Sequence, residues 1–487
     1  MNDHREKKNG SDPLKAGGKE KAAGKSERES NGKSVREAAG KSAREAAADS
    51  VFNILEKKKP SHIETAETLK KSSGLSDRDR AFYVRLVKGT VERAIELDFI
   101  INFFSTTETK KIRPFIRCLL RVSVYQIMHM DHVPDSAAVN EAVKIARKRG
   151  FSGLSGFVNA VLRAVSAGKE GVPVLGEKED PATRLSVRFS MPKFLVEKFT
   201  EDYGEKNASL IMQSFLCERP LTARVNTSRA DIDDVIRMIE ADGARAERAG
   251  FYDGAIVIEE AASPENLRAF KEGLIYYQSE GSILAGAMLT PAPGSIVADV
   301  CAAPGAKCLH AADMLSGSGM VFAFDASETK IKKLNENIKR CGFKNITASL
   351  HDARSADERL IGKCDAVIAD LPCSGLGQIG IKPDIKYNIT PEKIKSLVKL
   401  QREILSAASL YVKPGGHLIY STCTINPQEN EETAAWFEEN FPFKRVSPGD
   451  VPAAFSSHPG ADVPAALSLI PGVTGKDGFY AVKFVRT

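Results

Sequence analysis

The chain has 487 residues, 42% hydrophobic and 27% charged; against a usual domain length of ~150 residues this predicts two to four domains and excludes a single small module, a fibrous chain and a wholly disordered one. The net charge is +6, and residues 1–50, with 12 basic and 9 acidic side chains, carry +3 of it, so the body is too nearly neutral for charge alone to indicate a nucleic-acid partner. No run approaches the roughly 18 apolar residues of a membrane helix, the opening MNDHREKK is charged where a secretion signal is apolar, and the eight cysteines include no CxxC pair; a cytoplasmic protein without membrane anchor, zinc site or disulfide framework is expected.

Residues 1–48 are rich in Lys, Glu, Gly, Ala and Ser, and the unit GKSxRE recurs at Gly24, Gly32 and Gly40. That period fits no packed repeat, so a disordered, solvated tail is expected, with a weak RNA contact as the alternative. Residues 49–170 read as helical. Tyr83, Val87, Val91 and Ile95 form one stripe, Ile116, Leu120, Val124 and Ile127 the next, then Val139, Val143 and Ala146, then Phe157, Val161 and Ala164. Pro114 and Pro134 precede two stripes, and Gly150 and Gly168 stand where helices should stop, which predicts an all-α bundle.

A second unit, residues 181–277, reads as a small α+β domain: a helix around Phe194 to Tyr203, the strand LTARVN, a helix over 231–241 and the strand AIVIE at 255–259. From 278 to 487 strands and helices alternate as SIVADV, KCLHAADML, VFAFD, KIKKLNENIKR, ITASLH, DAVIAD, KIKSLVKLQREILSAASLY and HLIYST, with two strands in succession only at ITASLH and DAVIAD. That alternation predicts an α/β domain with a doubly wound, mostly parallel, Rossmann-type sheet.

In the turn VCAAPGAK, the small residues Cys301, Ala302, Ala303, Pro304, Gly305 and Ala306 precede Lys307 and let backbone amides approach a ligand at a helix N-terminus. Asp325 closes the next strand, 20 residues after Gly305, where such folds bind a ribose, and Asp352 closes the one after, within reach of an adenine amino group. Together these fit a nucleoside-bearing cofactor; a tight turn beside solvated acids is the competing reading. The following strands run into DLPCSG and YSTCT, so Cys373 and Cys423 reach the same sheet edge, with Asp370 just before the former. Cys308, Cys341 and Cys364 read as inert buried thiols.

In order and spacing, VCAAPGAK, FDAS, HDAR, DLPCSG followed by KPDIKY, and YSTCT followed by NPQENE resemble the successive motifs of the RNA 5-methylcytosine methyltransferases of the Sun, or RsmB, family. Upstream, VNEAVKIARKRG and GFVNAVLRAV resemble the closing helices of a NusB-like RNA-binding domain, and DGFYAVKF resembles the last strand pair of the catalytic domain. The resemblance covers all but the tail. It implies S-adenosyl-L-methionine as cofactor, RNA and foremost 16S rRNA as substrate, no DNA or membrane partner, no metal, and a monomer. It places Cys301 to Lys307, Asp325, Asp352 and Asp370 around the cofactor, with Asp370 also beside the target base. It makes Cys423 the nucleophile and Cys373 the thiol that assists product release. Sequence leaves open which thiol attacks, because DNA cytosine methyltransferases use a cysteine that follows proline, as Cys373 does.

Ala306 and Cys308 depart from the family pattern but stay small. Gly380 and Ile381 stand where a pair of arginines is usual, leaving Lys382 and Lys386 as candidate backbone contacts. Arg113, Arg117, Arg121, Lys144, Arg147, Lys148 and Arg149 form either an RNA platform or a solvated face, and Arg224 and Asn226 either touch RNA or brace an interface. Two other functions stay open: a 5-methylcytosine methyltransferase of tRNA or another RNA, and a non-catalytic NusB-like RNA-binding protein. The presence of Cys373, Cys423, Asp370 and Asp325 together weighs against the latter.

Overall fold

The computed structural model describes residues 41–487 except 73, 177, 262, 448–465 and 476. The expected tail therefore lies outside the described residues up to residue 40, and the third GKSxRE unit is not tail. Ser42 caps the helix Ala43–Leu55, its Oγ accepting the Glu45 N–H at 3.3 Å. Glu45 receives Lys148 and Asp49 receives Arg149, each at 2.7 Å, while Ala46, Ala47 and Val51 are buried. Alanine-rich composition that reads as solvated is here the packed face of a helix, a distinction only tertiary partners can make.

Helices Ser61–Lys71, Asp77–Glu92, Ala94–Phe104, Pro114–His129, Asp135–Lys148 and Ser155–Gly168 complete this unit. Pro114 takes the first helical position, where a missing N–H costs nothing. Val51, Tyr83, Leu86, Ile116, Leu120, Val158 and Leu162 meet in one core. Two stripes shift from the periodic reading. The chain leaves helical geometry at Arg93 (φ −107°, ψ 16°), so Ile95 falls in a new helix that begins at Ala94. The last helix buries Val158, Val161, Leu162 and Val165, with Phe157 and Ala164 only partly covered; both sets fit a 3.6-residue period, and packing selects between them.

The second unit carries helices Lys193–Ser214 and Ile232–Ala241 with strands β1 (Leu221–Val225), β2 (Arg245–Arg248), β3 (Ala255–Glu259) and β4 (Ile275–Tyr277). They form one antiparallel sheet, ordered β2-β3-β1-β4. β2 escapes sequence reading because RAER buries Ala246 alone.

The third unit holds β5 (Ile296–Asp299), β6 (Met320–Asp325), β7 (Ile346–Leu350), β8 (Cys364–Asp370), β9 (Val412–Thr422), β10 (Phe443–Val446), β11 (Ala466–Leu469) and β12 (Phe479–Arg486). The order is β10-β12-β9-β8-β5-β6-β7, with β11 also paired to β12. β5 to β9 run parallel, while β12 runs antiparallel to β9. The chain winds outward from β5 to β7, then returns to the other side of β5 as β8. That reversal opens a crevice beyond the carboxyl ends of β5 and β8, the usual ligand position in such sheets. No helix among the described residues is long and apolar enough to cross a membrane.

Candidate active site

The VCAAPGAK turn leaves β5 into this crevice. Ala302 N–H donates to the Phe324 carbonyl at 2.7 Å, and the Pro304 carbonyl accepts from Tyr276 Oη (3.2 Å) and Asn337 Nδ2 (2.8 Å). Gly305 has φ 123°, a backbone conformation that favours glycine, and a β-carbon there would lie a tight 3.1 Å from Leu334 and 3.2 Å from Leu309. Lys307, on the first turn of helix Ala306–Met314, is buried. Its Nζ meets Asp370 Oδ2 at 2.7 Å and Ser282 Oγ at 3.0 Å, and lies 5.0 Å from the centre of the Phe479 ring. The other Asp370 oxygen accepts from Ser421 Oγ at 2.8 Å, and the Asp370 side chain remains 36% exposed, open to the crevice.

Two more acids end the neighbouring strands. Asp325 at the end of β6 is buried and accepts from Ser327 N–H at 3.1 Å and Lys330 Nζ at 3.5 Å. Asp299 at the end of β5 is 1% exposed, and its Oδ1 has no hydrogen-bond partner among the described residues. Burial, reinforced by the Asp370 charge, pushes the Asp299 carboxyl up to about 8, so it carries a proton at neutral pH. A glycine cradle closed to side chains, a strand-end carboxylate and an orphaned buried oxygen fit a polar nucleoside cofactor. Asp352 stands apart: it is exposed, both oxygens are held by Arg354 at 2.6 to 3.1 Å, and that pairing lowers its carboxyl to about 2. Any adenine contact there competes with Arg354.

Cys373 and Cys423 bring their sulfurs to 3.3 Å. The hydrogen bond from Cys373 holds the Cys423 thiol below its ordinary range, with Lys382 and Lys307 acting in the same direction; the same bond, with burial, pushes Cys373 well up. The two thiols are thus inequivalent, Cys423 giving up its proton more readily than Cys373. Cys308, Cys341 and Cys364 are buried with thiols raised by desolvation, as inert cysteines should be.

The two cysteine loops are joined beneath the thiols by a residue that sequence reading did not single out. Glu429 is fully buried; its Oε1 accepts from Ser374 N–H (2.7 Å) and Gln401 Nε2 (3.1 Å), its Oε2 from Ser374 Oγ (2.5 Å) and Asn426 Nδ2 (2.9 Å). Ser374 Oγ also lies 2.7 Å from Thr424 Oγ1, and Gly377 N–H donates to the Cys423 carbonyl at 3.2 Å. The available signal was the acid in NPQENE, six residues after Cys423.

Several expected RNA contacts are internal. Lys386 is 1% exposed, donates to the Glu92 carbonyl at 2.6 Å, and so cannot touch RNA. Arg117 is spent on Glu56 and Arg121 on Asp98, which removes both from the basic face; Arg113, Lys144, Arg147, Lys148 and Arg149 remain exposed. Arg224 and Asn226 brace an interface: the fully buried guanidinium meets Asp313 at 2.9 Å and Asn226 Oδ1 at 2.7 Å, and Asn226 donates to the Gly273 carbonyl. At Gly380, a β-carbon would fall 2.8 Å from the guanidinium of Arg219, itself paired with Asp477. Another segment thus fills the space beside the missing arginine.

Known protein families match all three units of the chain. Residues 286–485 match the family model of the 16S rRNA methyltransferase RsmB/F, residues 41–167 the NusB family, and residues 191–264 the ferredoxin-like domain of RsmF/B-like methyltransferases. The chain is 36% identical over 373 residues to the "Probable ribosomal RNA small subunit methyltransferase B" of Bacillus subtilis, covering 76% of this chain and 83% of that one. It is 31% identical over 406 residues to the ribosomal RNA small subunit methyltransferase B of Vibrio cholerae, covering 83% and 88%. A crystal structure of a methyltransferase homologue from Pyrococcus horikoshii superposes with a TM-score of 0.56 at 26% identity, over 63% of this chain and all of that one. The chain therefore belongs to the RsmB/F family of rRNA methyltransferases, enzymes dependent on S-adenosylmethionine.

Proposed function

We propose that this enzyme methylates carbon 5 of a cytosine in 16S rRNA through a covalent adduct with Cys423. The observation that carries the proposal is the pair of cysteine sulfurs 3.3 Å apart, with the Asp370 carboxylate near enough to act on Cys423. Carbon 5 of cytosine is a poor nucleophile. Addition of Cys423 Sγ to carbon 6 forms an S–C bond and makes carbon 5 enamine-like. Asp370 faces the crevice, held by Lys307 and Ser421, where in its protonated form it donates to ring nitrogen 3 as addition develops charge there and takes the proton back on elimination. When bound, S-adenosylmethionine supplies an electrophilic methyl group; Cys301 to Lys307, Asp325, Asp352 and Asp370 would hold it. Cys373 assists the release stage, in which a base takes the proton from carbon 5 and the freed electron pair forms the C5–C6 double bond as the S–C6 bond breaks and returns the Cys423 thiolate. The helical unit docks the RNA, the small α+β unit braces it against the third, and the third performs the chemistry.

The test uses radiolabelled unmethylated 16S rRNA on denaturing gels. Cys423→Ala should abolish methylation and leave no covalent complex, whereas Cys373→Ala should accumulate a denaturant-resistant protein–RNA species. A trapped species in Cys423→Ala and none in Cys373→Ala reverses the roles. Bisulfite sequencing of RNA from cells with and without the gene should lose one 16S signal; loss in tRNA instead overturns the substrate.

A further inference from the structure

The helical unit and the loop after Cys373 enclose a groove of about 560 Å³. Helices Ser61–Lys71 and Asp77–Glu92 contribute Lys70, Arg80, Lys88 and Val84, and the loop contributes Ile381 and Pro383; Glu265 is the acid on its wall. Its walls are fixed to each other. The Ser61 hydroxyl bonds Asp384, Lys386 Nζ donates to the Glu92 carbonyl at 2.6 Å, and Lys58 Nζ reaches the Tyr387 carbonyl at 3.4 Å. Lys382, next to Ile381 on the groove wall, acts electrostatically on both His62 at the rim and Cys423.

We infer that this groove is the track for the single-stranded RNA flanking the target cytosine. Its floor is apolar and open, with Val84 37% and Ile381 43% exposed, which suits the faces of unstacked bases, and its rim is cationic, which suits phosphates. Arg80 donates to the Leu69 carbonyl at 3.3 Å, but among the described residues two of the charges there have no ion pair. Lys144, Lys148 and Arg149 on the other face are paired with Glu141, Glu45 and Asp49. Among the described residues neither Lys70 nor Lys88 has a carboxylate within 4.0 Å. Loss of the arginine pair at Gly380 and Ile381 is thereby offset from the helical unit: Ile381 offers a base-contacting surface and lysines of another domain hold the backbone. The inference rests on RNA being the substrate, as proposed above.

The full-length enzyme with the paired change Lys70→Glu and Lys88→Glu tests it against Arg113→Glu with Lys144→Glu, which makes the same change of charge on the other face. With an unmethylated 16S rRNA transcript, the groove pair should raise KM for RNA by about tenfold or more, leave kcat and S-adenosylmethionine affinity within about twofold, and flatten the salt dependence by ~0.7 in log–log slope per lost contact. The comparison pair should change KM by less than about threefold. Unchanged KM in the groove pair overturns the inference, and so does an equal loss in both pairs, which marks diffuse attraction. A wild-type enzyme that methylates only tRNA overturns the 16S reading, while the same comparison on tRNA still decides the groove.

Discussion

Replacing Glu429 should separate support of the thiols from the chemistry itself. Its carboxylate takes four donors from three residues, Ser374, Gln401 and Asn426, in a site closed to water. Glu429→Ala strands Ser374 N–H and Asn426 Nδ2, while Gln401 Nε2 keeps the Pro372 carbonyl and Ser374 Oγ keeps Thr424 Oγ1; two unsatisfied buried donors cost about 2 to 6 kcal/mol. Glu429→Gln is milder for a reason visible in the structure. Asn426 Oδ1 is buried without a partner among the described residues, so a rotated Asn426 amide can accept from the new Gln nitrogen, as can the Ser374 hydroxyl. The loss is then mainly of charge assistance, about 1 to 2 kcal/mol. Because Ser374 and Thr424 each adjoin one of the two cysteines, the alanine variant should also raise the pH at which Cys423 becomes reactive. Iodoacetamide alkylation against pH reads this directly, and urea unfolding reads the stability. Glu429→Ala that matches Glu429→Gln in stability, with a Cys423 alkylation profile like wild type, refutes the clamp.

Asp325→Ala should weaken S-adenosylmethionine binding by ~1 to 3 kcal/mol in calorimetry, as for a lost hydrogen bond to a ribose hydroxyl; equal affinity removes that role. Asp299 has a native carboxyl at about 8 against an unfolded value of ~3.9, so between these values the native state keeps a proton that the unfolded chain releases, and this residue's contribution to stability falls as pH rises through that window. Asp299→Asn should flatten that fall, by roughly 5 kcal/mol at most across the window, and an unchanged slope in urea unfolding from pH 5 to 8 contradicts the buried neutral acid.

What the sequence made legible is what repeats along it. Parallel strands buried on both faces, such as DAVIAD, read as apolar runs, and the ligand turn follows from glycine and small residues at a strand end. Cys373 and Cys423 were placed on one edge by the same reasoning, although the 3.3 Å approach of their sulfurs needs coordinates. What stayed hidden depends on partners distant in the chain. Glu429 looks like any acid in a polar run until Ser374, 55 residues earlier, is seen bonded to it. Arg121 looks like a surface cation until Asp98 turns it inward. Arg224 likewise gave no sign of Asp313, 89 residues away. Composition reports how many charges exist, and only tertiary structure reports which are already spent.

The same accounting bears on how the N-terminal helices serve catalysis. Were they a detachable RNA handle, the third unit would be complete without them, yet Lys386 and Tyr387 are covered by them. Tyr387 packs against the helical core, and burial at this junction pushes the Lys386 amine down to about 7. Lys386 lies in the short helix Ile385–Asn388 at the end of the segment that runs from Cys373 through Gly380, so the segment carrying the Cys373 thiol at one end is anchored at the other by another domain. Removing the helices would release that anchor along with any RNA contact, and a lower rate after truncation could not tell the two apart. Charge reversal at exposed Lys70 and Lys88 leaves Ser61, Glu92 and Lys386 in place, so it isolates the RNA contact from the support of the site.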